Sequence, residues 1–164
     1  MTGTRFPLLL MLLACCGHGG PPPSAPNEKL GQAVSFSLAS VDGALVTVPL
    51  AGARATVLDF FGPTCQPCRK KLPPLYAQRD ALAVRGVKLV LVAVLADGES
   101  SADAQRALAD WGVNAPFLVD SAGTGKSEAG VTALPATIVL DERGVTKWVA
   151  PSDASVDDVI RATD

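Results

Sequence analysis

Residues 55–61, Ala-Thr-Val-Leu-Asp-Phe-Phe, form a nearly continuous apolar run of strand length. Such runs mark strands covered on both faces of a parallel or mixed sheet. Residues 87–95 and 136–140 have the same character, and residues 117–119 predict a shorter strand. Ahead of them, residues 34–38 alternate apolar and polar, as a half-buried strand does. Residues 45–48 alternate again after Asp42-Gly43, a tight-turn signal, so the two segments predict a hairpin. Helical spacing appears over residues 69–84, where Leu72, Leu75, Tyr76 and Leu82-Ala83 can share a face. Pro73-Pro74 falls inside that helix and is expected to kink or split it. Residues 100–111 predict a second helix with Ser100 or Ser101 as its cap, and residues 156–162 a last one. Asp141-Glu142-Arg143-Gly144 turns the strand at 136–140 into another at 145–149. Strands alternating with helices, ending in a hairpin and a helix, imply an α/β fold. Its centre is a mixed β-sheet flanked by helices, and the hairpin is an N-terminal extension.

The first 29 residues do not fit this pattern. Residues 1–14 hold one positive charge, Arg5, and then the apolar run Pro7-Leu8-Leu9-Leu10-Met11-Leu12-Leu13. That run is too short for a permanent membrane span, which needs about 20 apolar residues. It fits the apolar core of a secretory signal. It ends in Leu12-Leu13-Ala14-Cys15, which resembles the bacterial lipobox, and that resemblance implies a lipid-modified Cys15 as the first mature residue. The alternative is an ordinary signal peptide cut nearby, leaving Cys15 and Cys16 as thiols. Either way the domain is exported to where disulfide chemistry is possible. Residues 15–29 then read as the anchor cysteine and a Pro/Gly-rich tether, because proline runs stay extended and glycine resists packing. The folded domain is assigned to residues 30–164, one domain's worth of chain.

Composition narrows the function classes. A formal net charge of −2 offers no basic footprint for nucleic acid. The single histidine, His18, lies in the tether, which removes most histidine-dependent mechanisms from the domain. Gly125-Lys126-Ser127 resembles the end of a phosphate-binding loop, but the leading glycine of that motif would fall at Asp120. This stretch is therefore expected to be a surface loop. Trp111 and Trp148 are read as packing residues.

The chemistry concentrates in Pro63-Thr64-Cys65-Gln66-Pro67-Cys68-Arg69-Lys70-Lys71. A strand would deliver Cys65 to the start of a helix, where unpaired N–H groups and the helix dipole stabilise a thiolate. Cys68 would lie one turn further on, near enough to close a disulfide. A zinc site needs about four ligands, and the domain offers neither a second cysteine pair nor a histidine. A structural disulfide across so short a loop would remove little unfolded-chain entropy. Thiol–disulfide exchange uses this spacing directly: the first thiolate attacks a substrate disulfide and the second cysteine resolves the mixed disulfide. Asp59 is the only charged residue in its apolar run, six residues before Cys65. If buried, its carboxyl is pushed toward neutrality and can accept the Cys68 proton. If it faces solvent at a strand end, it has no such role.

These residues resemble the TlpA/ResA-like group of thioredoxin-fold proteins, the exported and membrane-tethered thioredoxins. The resemblance covers residues 30–162 and rests on the hairpin with Asp42-Gly43, on 57–61, on Cys65–Lys70 with Leu72-Pro73, and on Val131-Thr132-Ala133-Leu134-Pro135-Ala136-Thr137. It implies a thioredoxin fold with Pro135 as a cis-proline opposite the active site and Leu134 pairing with substrate. It implies a Cys65–Cys68 redox disulfide, Asp59 as proton acceptor, and Thr64, Gln66 and Pro67 beside the substrate. It further implies a disulfide reductase for exported proteins such as apocytochrome c, fed by a membrane thiol donor and needing no cofactor or metal. The chain departs from the group at Thr64 and Phe61, where tryptophan is common, and Pro63-Thr64-Cys65 is similar to more distant members linked to amine dehydrogenase maturation. Two other classes fit less well. A peroxiredoxin-type peroxidase wants threonine where Gly62 stands, and a Sco-like copper-binding module wants wider cysteine spacing and a distant histidine.

Overall fold

A computed structural model describes residue 20 and residues 22–164. The signal segment, Cys15, Cys16 and His18 lie outside the described residues. Seven strands and five helices follow in the order β1 (Phe36–Ala39), β2 (Leu45–Val48), β3 (Ala55–Phe61), α1 (Gln66–Tyr76), α2 (Arg79–Val84), β4 (Val87–Val94), α3 (Ser101–Asp110), β5 (Leu118–Asp120), α4 (Thr124–Glu128), β6 (Ala136–Asp141), β7 (Thr146–Val149) and α5 (Val156–Ala162). β1 and β2 pair antiparallel, with Gly43 in the left-handed conformation the tight turn requires. The remaining strands form one sheet in the order β5-β4-β3-β6-β7. β3 runs parallel to β4 and antiparallel to β6, so the sheet is mixed. No helix among the described residues is long and apolar enough to cross a membrane.

The apolar run of β3 is buried along its whole length because both of its faces are covered. Alternate residues divide the core. Leu58 and Phe60 face Val34, Phe36, Val48 and Ala129, contributed by the hairpin region and α4. On the other face, Ala55 and Val57 pack against Leu75, Leu82 and Val159 of the helices. Further along that face, Phe61 meets Cys68, Leu72, Ala104 and Leu108. Edge-on contacts of Phe61 with Trp111 and Phe117, centroids 6.0 Å apart in each case, close this corner.

Three expectations are corrected. The helix after the cysteines starts at Gln66 rather than residue 69, and it continues through Pro73-Pro74. Proline there removes the N–H groups that would bond Arg69 and Lys70, but those two residues are exposed and water can serve their carbonyls. Leu72 and Leu75 are fully buried on the opposite face, and that burial, about 1.5–3 kcal/mol each, outweighs the missing bonds. The break comes later, at Ala77-Gln78, where turn bonds to Pro73 and Leu75 end the helix. Second, Gly125-Lys126-Ser127 is not a surface loop but part of α4, with Gly125 buried. The buried Asp120 carboxylate accepts the Lys126 N–H at 2.8 Å and caps this helix. A Cβ at Gly125 would lie 2.9 Å from Leu38 Cδ1 and 3.1 Å from Phe36 Cε2. Gly125→Ala gains up to about 1 kcal/mol of helix propensity but incurs about 1–3 kcal/mol of overpacking. We expect a net loss of about 1 kcal/mol, read as a lower urea midpoint at constant m-value.

Third, the Pro-rich stretch is not free along its length. The Trp148 indole N–H donates to the Pro23 carbonyl at 2.9 Å. Ala25 N–H donates to Val149 O at 2.8 Å, and Val149 N–H donates to Ser24 Oγ at 2.9 Å. Gly31 and Gln32 exchange further bonds with Thr146. This strap covers the open edge of β7, while Val41 N–H bonds Phe117 O beside the β5 edge. Both edges of the sheet are thereby covered by the chain that precedes β3, which removes templates for pairing with other chains.

Candidate active site

Cys65 ends the β3–α1 turn with extended backbone, φ −75° and ψ 101°, and caps α1. Its Sγ accepts the Cys68 N–H at 3.2 Å. Pro67 sits in the first helical turn, where its missing N–H leaves no bond unmade. The two sulfurs are joined in a disulfide, with Cα atoms 5.3 Å apart. The pair is asymmetric: Cys65 is half-buried, whereas Cys68 is fully buried on the core-facing side of α1. An incoming sulfur reaches Cys65 first. Once reduced, Cys65 would present a thiolate to the positive end of an eleven-residue helix.

Asp59 lies on the β3 face that α1 covers and is 1% exposed, so it is not at a solvent-facing strand end. Its register neighbour on β4 is Leu91, which packs in the same cluster as Cys68. Burial pushes its carboxyl up to about 6, against the opposing pull of a Thr137 hydrogen bond and the Lys71 charge. Thr137 Oγ1 donates to Asp59 Oδ2 at 2.6 Å. Lys71, one turn after Cys68, is partly buried, and that burial lowers its own proton affinity while Asp59 raises it. Arg69 and Lys70 are exposed.

The Leu134–Pro135 bond is cis. A Cβ placed on Gly62 would meet Leu134 Cδ1 at 3.3 Å and Cys65 Cβ at 3.8 Å, so Leu134 stands directly across from the cysteine turn. Pro135, Pro67, Lys70, Lys71 and Pro74 line one side of an open groove of about 410 Å³, and Ser152–Val156 line the other. Thr64 and Gln66, the neighbours of Cys65 in sequence, are exposed. The Thr64 hydroxyl donates to Glu99 Oε1 at 3.1 Å, and Glu99 Oε2 accepts the Ala96 N–H at 2.8 Å. The fold thus gathers Cys65, Cys68, Asp59, Leu134, Pro135, Thr64, Gln66 and Pro67 around one corner of the sheet. Thr137 and Glu99 join them without having been expected. The signal for Thr137 was a polar residue in a buried strand, but only the β3–β6 register places it opposite Asp59.

Fold and site together define a thioredoxin-fold protein with a Cys65–Cys68 disulfide at the start of a helix. Residues 30–149 match the family model described as the AhpC/TSA family, and the chain belongs to that family. It is similar to the thioredoxin-like protein YneN of Bacillus subtilis (strain 168), 33% identical over 116 residues, covering 70% of this chain and 66% of the relative. It is also similar to the thiol-disulfide oxidoreductase ResA of the same organism, 28% identical over 112 residues, covering 68% of this chain and 61% of the relative. The match therefore spans somewhat under two thirds of these curated relatives' lengths. Among solved structures, MTB dsbF in its mixed oxidized and reduced forms superposes with a TM-score of 0.68 at 26% identity, covering 79% of this chain and 93% of that one. The resemblance to TlpA/ResA-like thioredoxin-fold proteins stands.

Proposed function

We propose that this chain is an extracytoplasmic thiol–disulfide oxidoreductase that reduces disulfides in exported proteins, including substrates of the cytochrome c maturation type. The observation that carries this reading is the asymmetric pair: a half-buried Cys65 capping a helix, bonded to a fully buried Cys68 with an ionisable carboxyl on the same sheet face. In the reduced protein the Cys65 thiolate attacks one sulfur of a substrate disulfide. That bond breaks, the other substrate sulfur leaves as a thiolate and takes a proton from solvent, and Cys65 is left in a mixed disulfide. Cys68 gives its proton to Asp59, directly or through water, and attacks Cys65 Sγ. The second substrate sulfur leaves as a thiolate and is protonated. Two electrons have then passed from the Cys65–Cys68 dithiol to the substrate. Leu134 and Pro135 hold the substrate backbone, and Thr64, Gln66 and Pro67 flank the attacked sulfur. A membrane thiol donor restores the dithiol by the reverse exchange. Lipid modification at Cys15 would hold the domain at the cell envelope.

A peroxidase reading is disfavoured by Gly62 itself, which stands three residues before Cys65 where such a peroxidase wants a threonine hydroxyl. Among the described residues, no group of three or more His, Cys, Asp or Glu side chains could hold a metal ion, so copper would have to rely on the two thiolates. The deciding measurement is the reduction potential, obtained by equilibrating the protein in thiol buffers, alkylating, and reading the mass. A reductase is expected near thioredoxin, at about −270 mV, whereas a value near about −120 mV would reverse the proposed direction of electron flow.

A further inference from the structure

Thr137 is fully buried and stands opposite Asp59 in the antiparallel β3–β6 pair. A β-branched side chain in a strand has few χ1 choices, so the backbone fixes where its hydroxyl points. That hydroxyl reaches Asp59 Oδ2 at 2.6 Å, the length of a charge-assisted O–H···O⁻ bond. The other groups bearing on Asp59 are few. The Lys71 charge acts from α1, whose Cys68 packs in one cluster with Leu91, and β4 presents that apolar Leu91 in register with Asp59. Thr137 is thus the only neutral donor to the carboxylate among the described residues. It also follows Pro135 by only two residues, just after β6 begins at Ala136.

We propose that Thr137 is a positioning residue of this site, whose hydroxyl orients the Asp59 carboxylate and keeps it ionised and ready to accept the Cys68 proton. This deepens the reading of Asp59 as proton acceptor and rests on it. Donation to a carboxylate favours its charged form. Without the hydroxyl, Oδ2 keeps no protein donor and the proton is held more tightly. The acceptor then becomes available only at higher pH. One three-residue stretch, Pro135–Thr137, would therefore carry both the substrate contact and the group that readies the resolving step.

The test uses the full chain with Thr137→Val, Thr137→Ala and Thr137→Ser. Asp59 is titrated through its carboxyl carbon by NMR, and the rate of mixed-disulfide resolution is followed against pH with glutathione disulfide as probe. Losing a hydrogen bond to a charged group raises proton affinity about tenfold or more. The Asp59 midpoint and the acid limb of the resolution rate are expected to rise together by about 1 pH unit in the Val and Ala variants. The Ser variant is expected to behave as the parent, and in an Asp59→Asn background Thr137→Val is expected to leave the pH profile unmoved. An unshifted Asp59 midpoint in either folded variant overturns the proposal, as does a Ser variant that shifts like Val. A shifted midpoint with an unshifted rate limb upholds Thr137's hold on Asp59 and instead removes Asp59 from the resolving step.

Discussion

Cys65→Ser is expected to reduce thiol–disulfide exchange to background, while Cys68→Ser is expected to leave the chain covalently joined to its substrate. The two sulfurs differ because their surroundings differ. Cys65 is half-buried at the N-terminus of α1, so a substrate sulfur can reach it, and its thiolate gains from the helix dipole. A hydroxyl there neither ionises near neutral pH nor forms a mixed disulfide. Cys68 is fully buried among Phe61, Leu72 and Leu91, so it cannot begin an exchange, only complete one from within. With serine at 68 the first attack proceeds and the second has no sulfur. Incubating each variant with a disulfide-containing protein and running non-reducing gels reads the result directly. Adduct in Cys68→Ser and none in Cys65→Ser is the expected pattern. The opposite pattern would assign the nucleophile to the buried sulfur and defeat the proposed order of steps.

Asp59→Asn should make the protein more stable and slower at once. The native carboxyl is raised to about 6, against 3.8 for its ordinary value. Between those two pH values the folded chain holds a proton that the unfolded chain has released. The contribution of this one group is therefore fully present below about pH 4, falls as pH rises toward 6, and is flat above it, with a total loss of up to about 3 kcal/mol. Asparagine cannot ionise, so the variant should lose this slope and gain about 2–3 kcal/mol at pH 7. Loss of a positioned base typically slows its step by about 10²–10⁴-fold, and resolution of the mixed disulfide should slow accordingly. Urea unfolding at several pH values, together with single-turnover resolution rates, checks both parts. A variant no more stable than its parent at pH 7 would show that the carboxylate is held more favourably than its burial implies.

Apolar patterning carried most of the fold because β3, β4 and β6 are covered on both faces, and their composition leaves no other reading. The dithiol was equally legible, since a Cys-X-X-Cys after a buried strand has few other uses. What escaped depended on distance in sequence or on brevity. α4 spans only Thr124–Glu128, too short for a period to show, and its cap comes from the buried Asp120 on the preceding strand. The helix break at Ala77-Gln78 was masked by Pro73-Pro74, the louder signal, because exposure of Arg69 and Lys70 lets the helix run on. Thr137 and Glu99 belong to the site only through pairing across 78 and 35 residues of chain, which composition cannot reveal. Trp148 was rightly read as a packing residue, but its indole N–H needs an acceptor once buried, and that need brings Pro23 to it.

The strap on β7 also sets a leash. Only eight residue-to-residue steps separate Cys15 from Pro23. Fully extended, they span at most about 26–29 Å, roughly the width of the domain itself. The leash is fastened at Trp148 and Val149, beside the loop at Ser152 that walls the cysteine groove. A chain anchored at Cys15 would therefore hold the groove within a shallow layer above the surface. Substrates would have to come down into that layer, and lengthening the leash, rather than altering any residue of the site, would be the way to widen the territory it serves.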